Sequence, residues 1–247
     1  MTNNQNTVTL IGFYGGDESH SISAWQSTNI DLDIELSEDI RERIHQLFEA
    51  TVIKKKKTPE ELLKMLAEHQ HHTPFEKSCL HFQIRGDICS HIHEIKHRVG
   101  ISINSESARY KELEDRWYLP EDFKGIKLTE DIIKDTPENV FIVGEDYYNI
   151  LNNHSIICHE LYHQAIRDLT PKLGKKRAKE SARYFLGYNK QLDHDMMFNF
   201  RSFAHFQELR NSPYAQKEIR EIAQIMLEQV KAIPGNPFQY TLEAFGF

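Results

Sequence analysis

Residues 96–110 read KHRVGISINSESARY and form the most polar, donor-rich motif of the chain's sequence signature. It combines the cationic or imidazole side chains of Lys96, His97, Arg98 and Arg109 with several short hydroxyl and amide groups, and it contains few apolar residues. Such a composition makes a poor core element, but it suits the binding of phosphates and of heterocycle edges. A solvated basic turn is the other interpretation, and the order and spacing of the residues decide between the two.

Four blocks of this sequence resemble the flavin-dependent thymidylate synthases (the ThyX family). From Ser102 onward, S-x-N-x-x-S-x-R-Y is similar to the second half of the family signature RHRxxSxNxxSxRY. Residues 96–98 (KHR) resemble its first half, with one extra residue before Ser102. Three more blocks follow the family order, namely HHTPFEK at 71–77, ARYFLG at 182–187 and NFRSFAHFQELR…AQKEIR at 199–220. The chain is therefore identified as a divergent member of this family.

The resemblance implies a role for each matching residue. Residues implied to contact FAD are Thr73, Lys96, His97, Arg98, Asn199, Arg201 and His205. Residues implied to hold the nucleotide are His93, Lys96, Ser105, Glu106, Ser107, Ala108, Arg109, Arg183 and Arg210. Arg210 matches the catalytic arginine that binds the pyrimidine, where a guanidinium would stabilise negative charge developing on the base.

The reaction implied by the resemblance is FAD-dependent methylation of dUMP to dTMP. Methylenetetrahydrofolate would donate the one-carbon unit, NADPH would be the reductant, and a homotetramer would share its active sites between subunits. The difficult chemistry would belong to the cofactors, and the protein would supply orientation and electrostatics. Ser107 is assigned to binding only, because no neighbouring residue in the sequence is a clear activating partner for a nucleophile.

Several positions depart from the family pattern. Lys96 replaces an arginine and loses the bidentate fork while it keeps the charge. The extra residue within Val99-Gly100-Ile101 is expected to shift the FAD-contacting half of the signature against the nucleotide-contacting half. Ser105 stands where glutamate is usual, and Glu106 follows one place later. Two alternatives therefore stay open: a related pyrimidine nucleotide as acceptor, or a hydroxymethyl product.

A zinc hydrolase is the rival interpretation, because H-E-x-x-H occurs at residues 93–97 and again at 159–163. On a helix this spacing presents two imidazoles to one metal, with the glutamate as general base. The pattern is short, however, and a chain with 14 histidines produces it by chance. We therefore predict no metal site. Arg201 and Arg210, one on each side of His205, should meet either an anionic ligand or a carboxylate such as Glu208 or Glu218.

Composition narrows the class of protein. The formal net charge of −7 argues against a nucleic-acid polymer as partner. No apolar run approaches the ~20 residues that span a bilayer, and no secretory signal is evident, so a cytoplasmic protein with no membrane partner is expected. Three cysteines without a C-x-x-C pair fit a reducing compartment. No repeat or linker divides the 247 residues, so we predict one α+β domain over 1–247, richer in helix, to which the resemblance adds a small antiparallel sheet.

Local patterns predict the individual elements. Strands are predicted at 7–14, before the turn Gly15-Gly16-Asp17, and at 79–84. A polar loop is predicted at 121–135. Helices are predicted at 37–51, 58–69, 88–97, from 138 or 146 to 169, 175–186, 195–209 and 215–233.

Overall fold

The computed structural model describes residues 5–28, 34–56, 58–129 and 143–247. It contains a four-stranded antiparallel sheet in the order β1-β2-β4-β3. The strands are β1 (Thr7–Tyr14), β2 (Cys79–Asp87), β3 (Ile101–Ser105) and β4 (Gln191–Phe198). Most of the remaining elements are helices, which confirms the prediction of an α+β fold richer in helix than in sheet.

Nine α-helices accompany the sheet in the described part of the chain. They are α1 (Asp17–Gln26), α2 (Arg43–Lys55), α3 (Pro59–Glu68), α4 (Ile88–Glu94), α5 (Tyr147–Leu173), α6 (Lys175–Ala182), α7 (Phe200–Arg210), α8 (Lys217–Lys231) and α9 (Gln239–Ala244). Three short 3₁₀ turns lie at Thr73–Glu76, Glu121–Phe123 and Arg183–Phe185. Among the helices of the described residues, none combines the length and the apolarity that crossing a membrane requires.

The described chain forms two compact units. The first contains residues 5–7, 85–92 and the described part of 105–193. The second contains the described residues of 8–84, together with 93–104 and 194–247. The single domain over residues 1–247 stays a prediction.

The second unit has its core between the sheet and helices α7 and α8. Phe82 of β2 stacks on Phe203 of α7, with ring centroids 5.9 Å apart. Apolar residues of α8 recur at helical spacing, and Ile222 and Met226 are fully buried in the same cluster. Burying one such side chain stabilises a fold by roughly 1.5–3 kcal/mol. This core fixes α7, which carries several of the predicted site residues.

The first unit has a smaller core around α5 and α6. Tyr162 is fully buried there with Ile166 and Ala182. Its hydroxyl accepts a hydrogen bond from the main-chain N–H of Leu113 at 2.9 Å. The loop that follows the signature is thereby attached to α5.

Several elements begin or end where the sequence predicts. Strand β1 covers residues 7–14 as predicted, and β2 extends the predicted strand to Asp87. The Thr58 side chain accepts from the Glu61 N–H at the start of α3, and α8 matches the helix predicted at 215–233 within two residues. The Asp146 side chain caps α5 through the Tyr148 N–H at 2.9 Å. The alternative start at residue 138 and residues 130–135 of the predicted loop lie outside the described residues.

Other predictions were wrong. The helix predicted from residue 195 begins only at Phe200, because the segment before it is strand β4, with every second residue (His194, Met196, Phe198) buried. The helix predicted from Ser37 begins at Arg43, because the Ser37 hydroxyl closes a local turn by donating to Glu42. Strand β3 and helices α1 and α9 were not predicted.

Three predicted helix ends also differ. Helix α4 ends at Glu94, and His97 follows in a turn. The prediction that His93 and His97 share one helix face was therefore wrong. Helix α5 continues through Pro171 to Leu173, although the proline lacks the N–H that would bond the main-chain oxygen of Arg167, and Gly174 follows as the C-cap. Helix α6 ends at Ala182 and passes into a 3₁₀ turn.

Candidate functional site

A pocket of about 540 Å³ lies in the second unit, between the 96–101 segment and the exposed side of α7. Six of the predicted site residues line it, namely Lys96, His97, Arg98, Arg201, His205 and Arg210. Four of these six are lysine or arginine, and Glu208 is the one carboxylate among the lining residues. The pocket therefore carries an excess of positive charge, which suits an anionic ligand.

Arg210, at the end of α7, points its guanidinium at two histidines. Its Nε–H donates to His97 Nε2 at 2.9 Å, and its Nη2–H donates to the main-chain oxygen of His93 at 3.4 Å. Burial, followed by the charge of Arg210, lowers the pKa of His97 to about 4. His97 is therefore neutral near pH 7, with Nε2 as the hydrogen-bond acceptor. The guanidinium is thus held in one direction, and no carboxylate among the described residues forms an ion pair with it.

Arg201 and His205 lie one turn apart on α7 and both face the pocket, as their spacing predicts. Arg201 donates from Nη1 to Glu76 Oε1 at 2.6 Å. Its carboxylate partner is thus neither Glu208 nor Glu218. Because Glu76 belongs to the block at 71–77, this ion pair joins two of the blocks that resemble the family.

The extra residue of the signature lies in a turn that packs on the start of α7. Gly100 has a φ of +65°, and a β-carbon placed there would lie 2.3 Å from Asn199 Nδ2 and 2.4 Å from Ser202 Oγ. Its main-chain oxygen accepts from the Asn199 N–H at 3.0 Å. The Ser202 hydroxyl donates to the oxygen of Val99 at 2.6 Å. This turn is therefore fixed to α7 rather than being a free insertion.

Three predicted residues lie near the pocket but do not line it. Asn199 caps α7, and its Oδ1 accepts from the Ser202 N–H at 2.8 Å. Thr73 opens the 3₁₀ turn that contains Glu76. His93 contacts the pocket residue Arg210, as described above.

The other predicted nucleotide-contacting residues lie in the first unit. Arg109 donates to the Glu180 carboxylate at 2.7 Å, and Arg183 donates to the Glu180 main-chain oxygen at 3.2 Å, so the two arginines meet at one residue. Glu106 forms an ion pair with Lys111 at 2.5 Å.

The remaining signature residues of this unit have local roles. The Ser105 hydroxyl lies 3.0 Å from His91 Nε2. The Ser107 hydroxyl accepts from the Arg109 N–H at 3.4 Å, and Ala108 is buried in the small core.

The pocket also contains two rings that were not assigned from the sequence. His72 and Phe245 line it, with ring centroids 5.6 Å apart. His72 lies inside the block at 71–77, so its neighbours could have indicated it. Phe245 lies near the C-terminal end of the sequence, and no spacing or motif links it to the other blocks.

Neither H-E-x-x-H copy gathers its histidines around a common centre. In the first copy, Glu94 lies buried against His194 at 2.7 Å, and Arg210 occupies the Nε2 atom of His97. A guanidinium there opposes a divalent cation. Among the residues that the structure describes, neither histidine of this copy belongs to a group of three possible ligands.

In the second copy, His159 and His163 serve separate hydrogen bonds. His159 donates from Nδ1 to the Ser155 oxygen at 2.8 Å. Both ring nitrogens of His163 meet carboxylates, Glu112 at 2.5 Å and Asp115 at 2.7 Å. In the described part of the chain, neither histidine belongs to a group of three possible ligands.

The donor set of the pocket fits a flavin dinucleotide. Lysine and arginine side chains bind pyrophosphate through charge-assisted hydrogen bonds, and Lys96, Arg98 and Arg201 supply three such groups. Imidazole and phenyl rings present flat faces to heterocycles. Cations and rings are thus combined in one pocket.

Comparison with known proteins identifies the same family as the four blocks. The model of the family described as thymidylate synthase complementing protein (Thy1) matches residues 18–234. A flavin-dependent thymidylate synthase of Rickettsia bellii is 33% identical over 193 residues, which cover 74% of this chain and 63% of the relative. The enzyme of the same name from Kosmotoga olearia is 32% identical over 170 residues, covering 67% of this chain and 70% of the relative. The chain thus spans less than two thirds of the Rickettsia relative's length.

Solved structures share the fold. The UMP/dUMP methylase PolB from Streptomyces cacaoi, bound with 5-Br dUMP, superposes with a TM-score of 0.66 at 23% identity, covering 98% of this chain and 95% of that one. The same protein bound with 5-Br UMP gives a TM-score of 0.63 at 21% identity, with coverage of 99% and 96%. At this level of identity the similarity establishes the fold.

Proposed function

Because the chain belongs to the thymidylate synthase complementing protein family, the flavin-dependent thymidylate synthases, we propose that it methylates a pyrimidine nucleotide with the help of FAD. The proposed reaction converts dUMP to dTMP, with methylenetetrahydrofolate as one-carbon donor and NADPH as reductant. The observation that carries this proposal is the cationic pocket in which Arg210 is held by the neutral His97.

In this proposal, the pocket residues have distinct roles. Lys96, Arg98 and Arg201 would hold the phosphates of FAD, which when bound would supply the redox and one-carbon transfer chemistry. Arg210 would face the pyrimidine and stabilise negative charge on it, because a preoriented, partly buried guanidinium loses little energy to reorganisation. The acceptor atom of His97 maintains that orientation.

The first unit would contribute the nucleotide's phosphate contacts. Arg109 and Arg183 both approach Glu180, and a phosphate can replace a carboxylate as the partner of an arginine because both anions accept bidentate hydrogen bonds. A homotetramer with shared active sites, as the resemblance implies, would bring such residues of several subunits to one substrate.

The test begins with the visible absorbance spectrum. The purified protein is mixed with FAD and passed through gel filtration, and flavin that elutes with the protein supports the proposal. NADPH, methylenetetrahydrofolate and dUMP are then added, and the nucleotide product is identified by mass. Failure to retain flavin, or retention without any modified nucleotide, would contradict the proposed function.

One observation favours a second acceptor or product. Ser105 stands where the family usually has a glutamate, so this position carries a hydroxyl instead of a carboxylate. The hydroxyl lies beside His91 Nε2. A hydroxyl beside an imidazole offers different hydrogen bonds to a nucleotide than a carboxylate does. Parallel reactions with dUMP and UMP compare the acceptors, and the product mass separates methyl from hydroxymethyl.

A further inference from the structure

We infer that Phe245 is a cofactor-positioning residue, whose ring stacks on a flat heterocycle of the flavin dinucleotide, and that Asp17 positions it through helix α9. This inference rests on the proposed function, because it takes FAD as the ligand of the pocket. It concerns residues on which the family resemblance is silent. Asp17 and Phe245 both lie outside residues 18–234, which the family model matches.

Phe245 meets the requirements of a stacking residue. It lines the pocket together with the cations, while its ring packs edge-on against the buried Phe75, with centroids 4.9 Å apart. Phe200 and His72 lie 5.7 Å and 5.6 Å from it by the same measure. The ring is only partly buried by these neighbours. It is therefore held firmly from behind and presents an apolar surface to the pocket.

Helix α9 cannot hold this position alone, because it has only six residues (Gln239–Ala244) and an isolated helix of that length is not stable in water. Asp17 supplies the missing hydrogen bonds. Its carboxylate accepts from the main-chain N–H groups of Tyr240 and Thr241, both at 2.8 Å. Its own N–H donates to the oxygen of Pro237 at 2.7 Å. One residue near the start of the second unit thus caps the helix that precedes Phe245.

A buried hydrogen-bond chain extends this attachment. The Thr241 hydroxyl donates to Asp17 Oδ1 at 2.5 Å and lies 2.9 Å from Nδ1 of His20. The other nitrogen of His20 lies 2.8 Å from the Ser78 hydroxyl. Because Ser78 follows the block at 71–77, this series of hydrogen bonds links α9 to the segment that carries His72. The two rings of the pocket are therefore positioned by one connected set of contacts.

The experiment measures FAD affinity of the full chain by titration, using quenching of flavin fluorescence. Phe245→Leu keeps an apolar side chain but removes the ring, and we expect roughly tenfold weaker FAD binding, since stacking on an aromatic side chain is a substantial part of such affinities. Phe245→Tyr keeps the ring and should bind within about twofold of the wild type. Phe247→Leu is the matched control, because Phe247 packs on the core but does not line the pocket.

Asp17 is tested by its dependence on Phe245. Asp17→Ala should weaken FAD binding in the wild-type background but produce no further loss in the Phe245→Leu background, because both changes remove the same contact. A merely structural role would reduce affinity in both backgrounds. Separate titrations with FMN and with ADP identify which heterocycle stacks, since only the fragment that contacts Phe245 loses affinity in Phe245→Leu.

The outcomes separate this inference from the proposed function. If the wild type binds no FAD, the proposed function fails. If the wild type binds FAD and a folded Phe245→Leu binds it equally well, this inference alone is overturned. Loss of affinity in Phe247→Leu equal to that in Phe245→Leu would also overturn it.

Discussion

Replacing Gly100 with alanine should both destabilise the protein and lower its affinity for FAD. At a φ of +65°, a residue with a β-carbon costs roughly 1–2 kcal/mol relative to glycine. The added carbon would also lie 2.3 Å from Asn199 Nδ2 and 2.4 Å from Ser202 Oγ, so both side chains must move. Because Asn199 caps α7, its displacement should break the capping hydrogen bond from the Ser202 N–H, which contributes about 1 kcal/mol. We expect a total loss of roughly 2–4 kcal/mol in the free energy of unfolding.

Two measurements check this expectation. Denaturant unfolding gives the loss of free energy, and for a chain of this size each kcal/mol corresponds to a fall in melting temperature of about 2–4 °C. FAD titration should show weaker binding, because the start of α7 sets the position of Arg201 in the pocket.

Gly235→Ala is the matched control. Gly235 belongs to the same unit and has a φ of +77°, but a β-carbon there meets no atom within 4 Å. It should therefore show the backbone cost alone, about 1–2 kcal/mol, with unchanged FAD affinity. Equal destabilisation by the two substitutions, or full FAD affinity in Gly100→Ala, would refute the idea that this turn is fixed against α7.

Three further predictions concern side chains. Arg210→Ala should lower single-turnover product formation by roughly a hundredfold or more while FAD stays bound, since it removes the charge facing the base. Burial raises the pKa of Asp17 to about 6, so the folded protein keeps a proton that the unfolded chain releases above about pH 4. Denaturant unfolding should therefore show the wild type losing stability relative to Asp17→Asn as pH rises from 4 to 6, by up to about 3 kcal/mol. Glu160→Gln should leave formation of the nucleotide product unchanged. If this substitution instead abolishes the activity, and if that activity depends on added zinc, the hydrolase interpretation would be favoured.

The elements that could be predicted are those with a complete local signal. Thr58 and Pro59 are a cap and a first helical residue, and both act as such at the start of α3. The residues of 7–14 are strand formers followed by two glycines, and β1 covers them. That Arg201 and His205 lie on the same face of α7 also follows from helical spacing alone.

The elements that could not be predicted depend on distant partners. The sequence pattern assigns residues 195–198 of β4 to the following helix, because the alternating burial of 194–198 exists only once the neighbouring strands are in place. The neutral state of His97 arises from burial and from Arg210, more than a hundred residues away in the sequence. Phe245 enters the pocket through α9, whose stability depends on Asp17 at the other end of the chain.

The extra residue in the signature shows how such distant contacts alter the meaning of a local pattern. From the sequence alone, an insertion between residues 98 and 102 is expected to displace one half of the signature relative to the other. In the structure, the oxygens of Val99 and Gly100 are bound by Ser202 and Asn199, so the turn is absorbed at the start of α7. The residues before it line the pocket, and those after it form β3. The signature's spacing is therefore set by attachment to α7, and a substitution that breaks this attachment should affect the binding of FAD before it affects the sheet.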